Sequence, residues 1–128
     1  MLGNVGIISG EAEFQIMFEP GRSLVANSCI LLVSVLGTKV SGTTTYVVVD
    51  GAMTELLRPA LYGAYHHVVP CTQAQEDSCD DMVECSVVGP VCESADTLAN
   101  NIKLPKLQQG RLIDIYFTAL LKEMFQCL

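Results

Sequence analysis

The stretch TYVVVDGAMTELLRPALYGAYHHVVP, residues 45–70, decides how this chain is built. Its opening, TYVVVDG (45–51), is β-branched and apolar and halts at Asp50-Gly51, which reads as a strand running into a turn. Residues 52–64 look helical as far as Arg58. There Pro59 restricts the residue before it to extended backbone, so a helix should stop. YHHVVP (65–70) is again strand-like. Strand, short helix and strand within 26 residues leave no room for long helices, and predict a mainly β protein with short helices.

The flanking segments extend that pattern. FQIMF (14–18) reads as a buried strand cut short by EPGR (19–22). SCILLVSVLGTKV (28–40) is a long apolar strand with a bend at Gly37, followed by a turn in SGTT (41–44). Residues 71–82 are polar and acidic and read as a loop. VECSVVGP (83–90) is a strand, and SADTLANN (94–101) is turn and helical material with Asp96 placed as an N-cap. LPKLQQGRLI (104–113) holds a turn and the start of a strand. From residue 112 onward, apolar residues at 112, 113, 116, 119, 120 and 124 have helical spacing, which predicts a helical C-terminal tail.

Composition narrows the function. The chain has 128 residues, half of them apolar and 16% charged, with a formal net charge of −7. That describes one globular domain or a piece of one. An acidic chain with scattered basic residues lacks the footprint of a nucleic-acid binder and a basic membrane-surface patch. The longest apolar run, residues 24–36, is too short to span a bilayer. The opening MLGNVGIISGEAEF has no basic targeting character, so a soluble, cytoplasmic protein is expected, with a plastid location open if a targeting region precedes this segment. None of the six cysteines (Cys29, Cys71, Cys79, Cys85, Cys92 and Cys127) forms a C-x-x-C pair, and no Cys/His spacing fits zinc. Free thiols are expected, and no metal site. His66 and His67 are neighbours on a candidate strand and would face opposite ways, which favours structural roles over joint ligation.

Three places could carry chemistry. In EPGR, Gly21 leaves its backbone open to close approach and Arg22 offers a bidentate fork for phosphate or carboxylate, although the same residues fit an ordinary turn with a solvated arginine. Arg58 and Tyr62, four residues apart, suit an acidic ligand, although spacing alone favours a surface arginine beside a half-buried phenol. Cys92 sits between a Gly-Pro turn and Glu93. A carboxylate beside a thiol favours its neutral form, and a neutral thiol can donate a proton. A buried structural cysteine is the commoner reading of such a residue.

Taken together, EPGRSLVAN, YVVVDGAMTELLRPALYGAYH and VVGPVCESADTLA resemble, in that order, the C-terminal part of the diaminopimelate decarboxylases, over roughly residues 14–113. Ornithine and arginine decarboxylases share the EPGR turn and a GP-x-C segment, but DGAMTELLRPALY followed by GPVCES favours the diaminopimelate branch. The resemblance implies a pyridoxal 5'-phosphate enzyme of the alanine-racemase-like type. Residues 1–22 would close its (β/α)8 barrel. Residues 23–113 would form an incomplete C-terminal β-barrel or sandwich domain, and 114–128 a divergent tail.

It also implies roles. Glu19, Pro20, Gly21 and Arg22 would form the cofactor's phosphate turn, with Arg22 also reaching substrate. Arg58 and Tyr62 would hold the distal end of meso-diaminopimelate, and Glu93 its ammonium. Cys92 would return the proton after CO2 leaves, giving L-lysine, and would be supplied to the partner's site in a homodimer. The lysine that holds the cofactor in this family lies upstream, and none of Lys39, Lys103, Lys106 and Lys122 stands in its motif. A chain of this extent is therefore expected to be inactive alone. The alternatives are a non-catalytic binding or dimerisation module that pairs with a full-length decarboxylase, and the equivalent part of an ornithine or arginine decarboxylase.

Overall fold

The computed structural model describes residues 5–9, 12–26, 28–71 and 82–116. Two sheets result. Strands β1 (Val5–Ser9) and β2 (Ala12–Ile16) form an antiparallel hairpin of their own, and six strands form the main sheet. The latter comprise β3 (Ile30–Ser41), β4 (Thr44–Val49), β5 (Val68–Pro70), β6 (Met82–Val88), β7 (Thr97–Pro105) and β8 (Leu112–Tyr116), in the order β5-β8-β3-β4-β6-β7. All neighbours are antiparallel except β4 and β6, which run parallel. The edge strands β5 and β7 come into contact, so the sheet curls into a nearly closed barrel. Two short helices, α1 (Arg22–Val25) and α2 (Arg58–Tyr62), complete the fold.

The barrel turns on β3. Its first half, Ile30 to Ser34, pairs with β8, and its second half, Val35 to Ser41, pairs with β4. The change of partner falls beside a register shift between Val35 and Gly37, which leaves Leu36 exposed. Such a bulge bends the strand and adds twist, allowing one strand to serve two walls. Gly42, at φ 61°, closes the two-residue turn between β3 and β4 with the positive φ that such tight hairpins need. Alternate residues then point inward. Val33 and Val35, Val47 and Val49, Cys85 and Val87, and Ile113 and Ile115 meet in one buried cluster with Leu98 and Leu104.

The structure corrects several readings of the sequence. Met17 and Phe18 are 78% and 56% exposed and lie beyond the end of β2, so FQIMF is not a buried strand throughout. The helix expected before Pro59 instead begins at Arg58 and includes the proline in its first turn. Proline is tolerated there because the first-turn N–H has no intrahelical partner to lose. Residues 97–105, part of which read as helical, form β7. Pairing with β6 and burial of Leu98 and Ala99 override local preference, and Asn101 absorbs the irregularity at φ 51°. Residues 112–116 alternate between exposed and buried as a strand does, against the helical spacing read from 112 onward. The remainder of the tail, 117–128, and the acidic stretch 72–81, with Cys79 and Cys127, lie outside the described residues.

His66 takes the structural role expected of it. It is 1% exposed, and its Nδ1 donates to the Tyr116 carbonyl at 2.8 Å, tying the approach to β5 onto the end of β8. His67 points elsewhere, with Nδ1 3.2 Å from the Tyr65 hydroxyl. Burial holds His66 below the ordinary histidine range, and the nearby Arg58 charge adds to this against the opposing pull of the Tyr116 carbonyl.

Two measurements check this core. Ile113→Ala, at a fully buried position, should cost about 2–5 kcal/mol in urea unfolding. Stability should also depend on His66. The unfolded chain takes up a proton near pH 6.5, while the folded chain resists it. The stabilisation is therefore complete above about pH 6.5 and is lost as pH falls below it towards the folded-state value. Melting curves between pH 5 and 7.5 should show that loss, and His66→Asn should flatten it.

Candidate functional site

The site begins where β4 ends. Asp50 donates its N–H to the Ser34 carbonyl at 3.1 Å and accepts the Ser34 N–H on Oδ1 at 2.7 Å, which fastens the turn to the middle of β3. That backbone bond from Ser34 holds the Asp50 carboxyl below its usual range. Gly51 follows because nothing larger fits: a Cβ there would lie 2.5 Å from Val33 Cγ1.

Residues 52–56 then fold into a single turn. Glu55 and Leu56 both donate to the Ala52 carbonyl, and the Ala52 N–H is bound by Glu55 Oε2 at 2.9 Å. The Thr54 hydroxyl, with the Ala52 N–H, lowers the Glu55 carboxyl's affinity for protons. Leu56 plugs into the core, so α2 starts from a fixed point. The helix ends at Gly63, whose φ of 61° and N–H bond to the Pro59 carbonyl make a left-handed cap. Within this one turn Arg58 and Tyr62 share a face, the guanidinium carbon lying 5.7 Å from the centre of the tyrosine ring. That geometry holds both side chains by a cation–π contact.

The second part is the connection between β6 and β7, residues 89–96. The Gly89 N–H donates to the Asp96 carbonyl at 3.0 Å, closing the loop at its base. Inside it, Glu93 donates to Val91 O at 2.8 Å and Asp96 to Glu93 O at 3.0 Å. Cys92 and Glu93 stand exposed at the rim. The Glu93 carboxylate is steadied by Ser94 Oγ at 3.2 Å and the Ala95 N–H at 3.4 Å.

Asp96 joins the two parts. It is 3% exposed and accepts the Met53 N–H on Oδ1 at 2.7 Å and the Val91 N–H on Oδ2 at 2.9 Å. One carboxylate thus binds the loop of Cys92 and Glu93 to the turn that leads into Arg58 and Tyr62. The place of Asp96 in SADTLANN predicts a helix N-cap. No helix follows it, and its oxygens serve a loop and a neighbouring segment instead. The signal that could have found this role is Gly89, seven residues earlier, where a Cβ would collide with the Asp96 carboxylate.

Glu19, Pro20 and Gly21 lie exposed in a turn closed by Gly21 N–H to Glu19 O at 2.9 Å, and Arg22 begins α1. Among the described residues, nothing comes within 4 Å of where a Cβ on Gly21 would stand, so no described contact requires the glycine. Among the described residues, no hydrogen bond of the Asp96 frame reaches this turn.

The chain belongs to the family described as pyridoxal-dependent decarboxylase, C-terminal sheet domain, which matches residues 14–118. It is 46% identical over 101 residues to a probable chloroplastic diaminopimelate decarboxylase of rice, covering 77% of this chain and 19% of that protein. It is 41% identical over 102 residues to the diaminopimelate decarboxylase of Archaeoglobus fulgidus, covering 80% and 23%. Among solved structures, the diaminopimelate decarboxylase of Helicobacter pylori complexed with L-lysine superposes with a TM-score of 0.68 at 40% identity, covering 79% of this chain and 24% of that one. The chain thus spans about a fifth to a quarter of the length of these relatives.

All four described cysteines are free thiols, in very different settings. Cys85 is buried in the sheet, and burial raises its pKa. Cys71 is exposed like Cys92, but partial loss of water around its thiol first, and then the neighbouring Asp114, push its pKa up to about 11. At pH 8 about one such thiol in a thousand is ionised. Iodoacetamide at pH 8, followed by peptide mapping, should therefore modify exposed Cys92 at least ~10-fold faster than Cys71. Cys85 should react only after unfolding. Equal rates at Cys71 and Cys92 would contradict the raised Cys71 pKa.

Proposed function

We propose that this chain is the C-terminal segment of a diaminopimelate decarboxylase, and that it contributes the residues that recognise and reprotonate the substrate. The observation that carries this reading is the Asp96 carboxylate, which brings Cys92 and Glu93 into one frame with Arg58 and Tyr62. The three motifs that suggested the family do not by themselves require their side chains to be neighbours; the fold supplies a reason for two of them to occur together.

In this reading Arg58 offers a planar pair of donors to the distal carboxylate of meso-diaminopimelate, with Tyr62 stacked against it and its hydroxyl free to bond the same end. Glu93, on the exposed rim, faces the distal ammonium. Cys92 gives its Sγ proton to the carbon from which CO2 has left. Pyridoxal phosphate, when bound, supplies the electron sink for that departure. The turn Glu19–Arg22 fits its phosphate: Gly21 has an open flank that a side chain would fill, and Arg22 follows directly. We assign the lysine that holds the cofactor to a part of the enzyme upstream of this segment, because Lys39, Lys103, Lys106 and Lys122 all stand outside the family's motif for it. Exposure of Cys92, Glu93 and Tyr62 suits a homodimer in which this end of the domain, loop and substrate grip together, enters the partner's site. A cytoplasmic or plastid location fits such an enzyme, and no helix among the described residues is long and apolar enough to cross a membrane.

The test transplants residues 14–116 of this chain into the matching part of the Helicobacter pylori diaminopimelate decarboxylase. The chimera should form L-lysine from meso-diaminopimelate. Cys92→Ala should then lower kcat by about 10²–10⁴-fold with KM little changed, as expected for loss of a proton donor. Arg58→Met should act mainly by raising KM, by roughly 10-fold or more, as a lost charge-assisted pair would. A folded, cofactor-loaded chimera that makes no lysine would overturn the assignment. Turnover of ornithine or arginine in place of diaminopimelate would move the chain to the other branch of the family.

A further inference from the structure

We propose that Asp96 is a positioning residue for the reaction: its carboxylate latches the loop carrying Cys92 and Glu93 onto the turn that launches Arg58 and Tyr62, so that proton donor and substrate grip are held in one fixed geometry. This inference rests on the functional reading above and extends it to a residue that touches neither substrate nor cofactor.

The geometry argues for a latch. The two oxygens of Asp96 are divided between two segments 43 and 5 residues away in the chain, one N–H from each. The Asp96 main chain bonds the loop twice more, taking the Gly89 N–H and donating to Glu93 O. Val91 and Glu93, the residues flanking Cys92, are therefore both anchored through Asp96. The Cys92 side chain itself lies at an exposed rim. Gly89 completes the device. A Cβ at residue 89 would stand 2.6 Å from Oδ1 and 2.7 Å from Cγ of Asp96, so the carboxylate occupies the room that the missing side chain leaves.

The carboxylate is also hard to replace. Both partners are N–H donors, which calls for a group that accepts on both sides. Asparagine has the same shape but presents an NH2 to one of the two donors, so it keeps one bond and sets donor against donor at the other. Either way the loop and the turn are uncoupled. Displacing a reacting group by about 1 Å can cost on the order of 10²-fold in rate.

The test has two arms. In the chimera described above, Asp96→Asn should lower kcat by roughly 10–100-fold. In a Cys92→Ala background the same change should lower kcat by less than about 3-fold, because a residue that acts through Cys92 has little left to position once the thiol is gone. Equal losses in both backgrounds would show a general structural role and overturn the proposal, as would an unaffected kcat. In the 128-residue chain, with no turnover needed, amide hydrogen exchange should show Val91 and Met53 protected. Asp96→Asn should remove that protection at one or both while leaving Val47 and Ile113 unchanged. Rapid exchange at both amides in the unaltered chain would mean that the latch does not exist. Should Asp96→Asn fail to fold, Gly89→Ala keeps the carboxylate but intrudes on it, and the same two readouts apply. An inactive but folded parent chimera would sink the functional reading and the catalytic part of this proposal together, while exchange in the chain would still decide whether the latch is present.

Discussion

A buried carboxylate between two backbone N–H groups holds this end of the molecule together. Removing an ionised group from water is costly unless its oxygens are bonded, and charge-assisted bonds from backbone amides are among the stronger compensations available. Asp96 is nearly inaccessible and receives one amide on each oxygen. Its position explains features that otherwise look unrelated. Residue 89 must be glycine because the carboxylate stands where its side chain would be. The loop 89–96 can be exposed yet ordered, because its base is closed by main-chain bonds at Gly89 and Asp96. The segment after β4 can leave the sheet without wandering, because Met53 is held from across the barrel end.

The sheet makes that contact possible. β4 and β6 run parallel and adjacent, so the chain leaves both in the same direction and at the same end of the barrel. Residues 50–53 follow the one strand and 89–96 the other. Had the two strands been antiparallel, their following segments would emerge at opposite ends and no side chain could bridge them. The long β3 completes the arrangement from the other side. It changes partner from β8 to β4 near Ser34 and Val35, and Asp50 is bonded to Ser34 at that point. The turn that feeds α2 is thus fixed at its start by β3, at Met53 by Asp96, and at Leu56 by the core.

Much of this was legible in the residues. The strands around 30–41, 44–49 and 82–88 follow from β-branched runs bounded by turn residues, and Gly42, Gly51 and Gly89 stand where a positive φ or a close approach requires them. The motif segments were visible as sequence, as was the pairing of Arg58 with Tyr62 by spacing. Local reasoning failed where a segment's own preference and its tertiary partners disagreed. SADTLANN carries helical and turn-forming residues, yet Leu98 and Ala99 become strand because β6 offers a ladder and a core to enter. LIDIY satisfies a helical spacing and an alternating one equally well. Its burial on β3 and β5 decides for the strand. Pro59 by itself predicts a stop, and its place in the first turn of α2 depends on Leu56 anchoring the preceding residues.

The amino-acid sequence by itself determined the class of this protein: a β-rich domain with short helices, acidic, carrying three ordered motifs of a pyridoxal-dependent decarboxylase. Those properties are written in local composition, in turn residues and in contiguous words of sequence, all of which survive without a third dimension. Only the tertiary structure decided that Cys92 and Glu93 share a frame with Arg58 and Tyr62, and that Asp96 makes the join. That relation links residues 43 positions apart through the hydrogen-bonding capacity of one carboxylate. Seen along the chain, the same aspartate is one acidic residue in a polar stretch, because the amides that give it its role come into reach only after two strands have paired in parallel.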